Sequence, residues 1–166
     1  MKVMLSFGTS KQVSGEASIV FKANSKEVFC FIAENFFINY QKWAPEVIEL
    51  EPLDGDKVFV GSKGKQVRED NDSLVESTFE ITEYSPYSLF ILQGLSNPYR
   101  HTYLIDSEGQ GQGAQTKLTF RFDLLEIEIF MRPFEKLIRV AIEDGAEAAV
   151  ENIKNLLATS TASALW

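Results

Sequence analysis

The stretch FEKLIRVAIEDGAEAAVENIKNLLA, residues 134–158, decides how the rest of the chain has to fold. Phe134, Leu137, Ile138, Ala141, Ile142, Ala149, Val150, Ile153, Leu156 and Leu157 recur at three- and four-residue intervals, the spacing of one helical stripe. Glu135, Lys136, Arg139, Glu143, Glu147, Glu151 and Lys154 face away. Pro133 belongs to the first turn, where a missing N–H costs nothing. The spacing therefore predicts a helix from about Met131 to Ala158. At 1.5 Å per residue such a rod is roughly 40 Å long. A ten-residue strand spans about 33 Å. The helix can therefore cross the whole width of a sheet. Its middle turns, Ala141, Gly145, Ala146, Ala148 and Ala149, are small. A mid-helix Gly costs about 1 kcal/mol relative to Ala, so Gly145 needs a reason. Close packing is expected at Ala149; at Gly145, close packing and a cavity both remain open.

The sheet is written upstream with period two. TKLTFRFDLL (116–125) alternates most cleanly, with Leu118, Phe120 and Phe122 inward and Lys117, Thr119, Arg121 and Asp123 outward. LVESTFEITEY (74–84) places Val75, Ser77, Phe79 and Ile81 on one face. EVIELEP (46–52), KVFVGSKGKQVRED (57–70), SLFILQGL (88–95) and PYRHTYLID (98–106) complete the run, and short turns between them imply antiparallel pairing. Gly61 and Gly64 suggest a bend or bulge in the 57–70 segment. SEGQGQGAQ (107–115) reads as a hairpin tip, because a phosphate-cradling glycine loop would open a helix and this one precedes a strand. Ahead of the sheet, EASIVFKA (16–23) is β-rich. Asn24 followed by Glu27 resembles a capping box. Val28, Phe29, Ile32 and Phe36 then extend a helix to about Phe37, and a second short turn covers Asn39–Trp43. Pro45 stops it. Residues 1–14 are a first strand or a leader.

The 166 residues suit one domain, 1–166. Net charge is −8 with no basic run. Nucleic acid, whose affinity comes largely from Lys and Arg on phosphates, is set aside. An anionic membrane surface is disfavoured for the same reason. No apolar run approaches the length of about 20 residues that a bilayer requires, so stable membrane insertion is not expected. The N-terminus lacks the form of a signal peptide, and a cytoplasmic protein is expected. The single cysteine, Cys30, reads as a small buried hydrophobe. With one His and one Cys, no metal site of the usual kind is expected and no cofactor is implied.

Thirteen Phe mean a large core or a ring-lined pocket. His101 shares a strand face with Tyr99, Tyr103 and Ile105. It is an exposed or internally bonded histidine, a ligand contact, or a general acid or base. The candidate catalytic pair is His101 and Tyr103, with Gln93 and Glu76 as further polar neighbours. Tyr40 and Trp43 are either plain core or the wall of a pocket. Gln66 and Arg68 form a solvated strand face or reach a ligand's polar end. Glu46, Glu49 and Glu51 read as a solvent edge that discourages edge-to-edge pairing.

Several stretches resemble the START-like (SRPBCC) superfamily, in particular its polyketide cyclase/dehydrase group. FKANSKEVFCFIAE is similar to that family's first strand and helix start, and YQKWAPEVIELE to its Trp-x-Pro step. FEITEYSPYSLF is similar to its strand–turn–strand unit, GAQTKLTFRFDL to its Thr-rich strand, and IKNLLA to its helix ending. The resemblance covers about residues 16–158. It implies an α+β helix-grip fold: a curved antiparallel sheet of six to seven strands around the long C-terminal helix, with two short helices between the first and second strands. It also implies a cavity for a hydrophobic small molecule. The expected lining is Tyr40 and Trp43 from the step, Phe79, Gln93, His101, Tyr103, Phe120 and Phe122 from the sheet, and Phe134, Ile138 and Ile142 from the helix. Three functions follow: binding or transport of a lipid-, polyketide- or aromatic-like molecule; a cyclase/dehydratase-like enzyme using His101 and Tyr103; or a non-catalytic interaction subunit with a filled core. Whether the chain is an enzyme stays open, and a homodimer is compatible with the sequence.

Overall fold

The computed structural model describes residues 11–108 and 115–164, with side chains through residue 159. Most of the expected leader and of the 107–115 tip lie outside the described residues. Seven strands form one antiparallel sheet: β1 (Val13–Phe21), β2 (Val47–Pro52), β3 (Lys63–Asp70), β4 (Ser73–Ser85), β5 (Leu89–Gly94), β6 (Tyr99–Glu108) and β7 (Gln115–Leu124). Their spatial order is β1-β7-β6-β5-β4-β3-β2. β2 is therefore an edge strand, and the exposed Glu49 and Glu51 do lie on that edge. Breaks in register at Val47/Glu49 and Ile81/Glu83 bend the strands. The long helix closes one face. This is the α+β helix-grip arrangement.

Between β1 and β2 the helical pair differs in detail from the period-based expectation. α1 (Ser25–Phe29) starts where the Asn24 side chain accepts the Glu27 N–H at 2.8 Å. One π-helical turn, Cys30–Glu34, follows, and α2 (Phe36–Trp43) begins after a break at Asn35. Two side-chain amides brace this irregularity. Asn35 donates to Cys30 O at 3.1 Å and Asn39 to Phe31 O at 2.9 Å. Phe29, Ile32, Phe36 and Tyr40, spaced three or four residues apart, are all buried. The Phe36 ring then sits in an aromatic cluster with Tyr40 (4.6 Å between centroids), Phe90 (5.4 Å) and Phe79 (5.9 Å).

Only residues 63–70 of the 57–70 segment are strand. The Ser62 hydroxyl bonds both the N–H and the C=O of Phe59, and Gly61 has φ +99°, so the chain turns before the strand starts.

The terminal element also splits. Ile129–Phe134 is a 3₁₀ turn containing Pro133, and α3 runs Glu135–Ala164. Its second half is buried at Ala146, Val150, Ile153 and Leu157. Its start is not packed down as the stripe suggested: Leu137 is 69% exposed, and Phe134, in the turn before it, is 50% exposed. α3 rests on β1 and β7 and leaves the middle strands uncovered near its start. Contact with β1 is close because Gly15 has no side chain. A Cβ there would stand 2.8 Å from Ile142 Cγ2 and 2.9 Å from Glu143 Cγ. At Gly145 the same construction meets nothing within 4 Å.

Candidate functional site

The space left beneath the first half of α3 is a cavity of about 660 Å³. Inward alternation on β6 and β7 supplies one wall: His101, Tyr103, Phe120, Phe122 and Leu124. α3 supplies Ile138, Ala141, Ile142, Gly145 and Ala149, among others. Tyr40 and Trp43 close a third side, and Glu46, Arg68 and Asp70 join them. Gly145 is thus explained by open space, while Ala149 both packs on the core and borders the cavity.

Of the residues expected to line such a site, Tyr40, Trp43, His101, Tyr103, Phe120, Phe122, Ile138 and Ile142 meet there. Three do not. Phe79 is fully buried against Phe36 and Phe37, within the solid part of the core. Gln93 falls on the sheet's other face, because Phe90 and Leu92 take the inward positions of β5. Phe134 is half exposed in the 3₁₀ turn, since the proline-containing turn precedes the point where the helix meets the sheet.

Several polar groups are better placed than their sequence context suggested. Gln66 is 2% exposed. It accepts from the Tyr40 hydroxyl (3.2 Å) and donates to Tyr99 (3.0 Å). Arg68 is half-buried at the cavity edge. Its Nη2 donates to Glu46 at 3.2 Å, and its Nε lies 3.6 Å from Asp70. Glu46, expected at a solvent edge, turns to the cavity rim for that pairing. Asp70 and Asn152 were not singled out by the sequence. Asn152 donates to the Trp43 carbonyl at 3.1 Å, tying α3 to the step after α2. Nothing in a single sequence pairs a β3 arginine with a carboxylate 22 residues earlier.

His101 is buried, with rings of Phe122, Phe120, Tyr99 and Tyr40 around it at 5.1, 5.4, 5.4 and 6.3 Å. Its Nδ1 has no hydrogen-bond partner. Burial, and then the nearby Arg68 charge, lower its pKa from 6.5 to about 3, so the imidazole is neutral around pH 7. Burial likewise raises the phenols of Tyr40 and Tyr103 above their ordinary value. Arg68 stays charged: burial opposes its charge, but Tyr40, Glu46 and Asp70 together outweigh that. The walls are therefore apolar with a few neutral hydrogen-bonding groups and one compensated charge cluster. That pattern is typical of small-molecule pockets.

A seven-stranded antiparallel sheet closed by a terminal helix, with a cavity between them, defines the START-like class of helix-grip proteins. The chain belongs to the family described as polyketide cyclase / dehydrase and lipid transport, whose sequence model matches residues 12–158. Similar solved structures include truncated norcoclaurine synthase from Thalictrum flavum (TM-score 0.69, 13% identity, 90% of this chain and 95% of that one). A protein of unknown function from Staphylococcus aureus is similar at TM-score 0.68 and 15% identity, covering 92% and 97%. Ginseng major latex-like protein 151 from Panax ginseng is similar at TM-score 0.65 and 10% identity, covering 87% and 96%. At these identities the likeness concerns the fold. No curated protein matches the chain. Among the described residues, no helix is long and apolar enough to cross a membrane.

Proposed function

We propose that the protein binds an apolar small molecule in the cavity between sheet and helix, as a carrier or sensor. One observation carries this reading: a partly open space of about 660 Å³ remains between the aromatic sheet face and α3, walled by Phe120, Phe122, Ile138 and Ile142. An apolar ligand seated there would take the apolar walls out of water and add dispersion contacts. The family description, which includes lipid transport, points the same way. The filled-core interaction subunit is harder to reconcile with such a cavity.

A cyclase or dehydratase activity through His101 and Tyr103 has less support. A general base works best with a pKa near the working pH. An imidazole at about 3 and a phenol raised by burial are both neutral hydrogen-bonding groups at pH 7, suited to orienting a ligand rather than moving its protons. The test is organic extraction of natively purified protein followed by mass spectrometry, alongside calorimetric titration with apolar probes. A bound apolar molecule, displaced by Ala149→Phe, is the expected result. Protein that carries nothing and takes up no apolar probe would overturn the reading.

A further inference from the structure

A lone arginine in an apolar cavity is ordinarily a carboxylate clamp, since its planar fork matches two carboxylate oxygens. Here two carboxylates already hold the fork. Glu46 takes Nη2 at 3.2 Å, and Asp70 lies 3.6 Å from Nε. Glu46, Arg68 and Asp70 are the charged side chains of the lining, so two negative charges against one positive leave it at −1. A ligand carboxylate would enter as a third anion on a single cation. His101 offers no second cation, because it is buried and neutral beside Arg68.

We propose that the cavity mouth selects by charge: Glu46 and Asp70 occupy Arg68, bar ligands with a carboxylate head, and admit apolar ligands whose head is a neutral oxygen. This rests on the reading that the cavity holds an apolar ligand. The uncharged polar groups of the wall suit such a head. His101 has an unpartnered Nδ1. Tyr103 accepts the Trp43 N–H at 3.3 Å and has its own proton still to place. The two lie two residues apart on one face of β6, hence about 7 Å from each other. An alcohol can donate or accept and so serves either tautomer of a neutral imidazole, whereas a carboxylate can only accept. Glu46 and Asp70 thus act as specificity determinants without touching the ligand's apolar body.

The experiment compares decanol with decanoate by isothermal titration calorimetry at mildly alkaline pH, where the acid is ionised. In the wild type, decanol is expected to bind about tenfold tighter or more, the scale of one uncompensated charge contact at a partly buried site. In Glu46→Gln/Asp70→Asn, Arg68 is released and the acid-to-alcohol affinity ratio is expected to rise by about tenfold or more. Glu46→Gln alone, at a partly exposed side chain, should raise it in the same direction if the double variant does not fold. Equal wild-type affinity for the two probes overturns charge selection, as does an unchanged ratio in a folded variant. If neither probe binds the wild type, the ligand-site reading itself fails, and this inference falls with it.

Discussion

The indole Nε1 of Trp43 donates to the Tyr103 hydroxyl across 3.3 Å, joining the end of α2 to the middle of β6. Both side chains are almost fully buried and both border the cavity. The indole is therefore wall and brace at once. Its ring contacts Phe31, Phe36 and Tyr40, and its backbone carbonyl accepts from Asn152 on α3. Sheet, helical step and long helix meet at this one residue.

Tyr103→Phe should destabilise the fold by about 1–2 kcal/mol, because it leaves the buried Trp43 N–H without its acceptor. Trp43→Phe should cost more, about 3 kcal/mol, through lost packing as well as the hydrogen bond. Urea denaturation of both singles and the double variant checks this. The double variant should lose less than the sum, since the two residues share one interaction.

His101 should shape the acid limb of stability. Its folded pKa of about 3 lies below its ordinary 6.5, so the unfolded chain binds the extra proton between those values. Its contribution is present above pH 6.5 and is lost as pH falls toward 3. The expected slope from this group approaches about 1.4 kcal/mol per pH unit. His101→Phe should remove that slope while keeping a ring in place. Urea midpoints across the acid range decide; an unchanged slope would mean that His101 is not held neutral.

Asp123 lies on the sheet's outer face yet is fully buried. Burial alone would raise its pKa, but hydrogen bonds from Ser14, Arg121 and Arg100 outweigh that and hold it below 3.8. Stability from this carboxylate is thus present above pH 3.8 and lost as pH falls through the lower folded value. Asp123→Asn should cost about 1–3 kcal/mol near neutrality, moderated because Arg100 and Arg121 are partly hydrated. The gap between wild type and variant should narrow in acid, which chemical denaturation at two pH values measures.

Two glycines should respond in opposite ways. Gly15→Val drives a side chain into Ile142 and Glu143 and should cost about 1–3 kcal/mol by forcing α3 off β1. Gly145→Leu meets open space, so the fold should persist, while the cavity shrinks and apolar probes bind more weakly. Thermal melts paired with calorimetry separate the two effects.

The local sequence determined the elements. Alternation in TKLTFRFDLL, the Asn24 cap and the apolar stripe of α3 are short-range patterns, and short-range geometry follows from them directly. Alternation also put His101 with Tyr103 on one face of their strand and Phe120 with Phe122 on the inward face of theirs, and these four do converge. Other positions were settled only once the chain closed on itself. Leu137 carries the helical stripe but stays exposed, because where α3 touches the sheet depends on Gly15, some 120 residues away. Asp123 obeys alternation yet is buried, because Ser14 and Arg100 arrive from the strands on either side. Arg68, open between a solvated strand face and a ligand contact, pairs with Glu46 and Asp70 at the cavity edge. Periodicity specifies which face of an element a side chain occupies. What lies opposite that face, and therefore its charge state and its access to a ligand, depends on contacts between residues far apart in sequence, and those exist only in the tertiary structure.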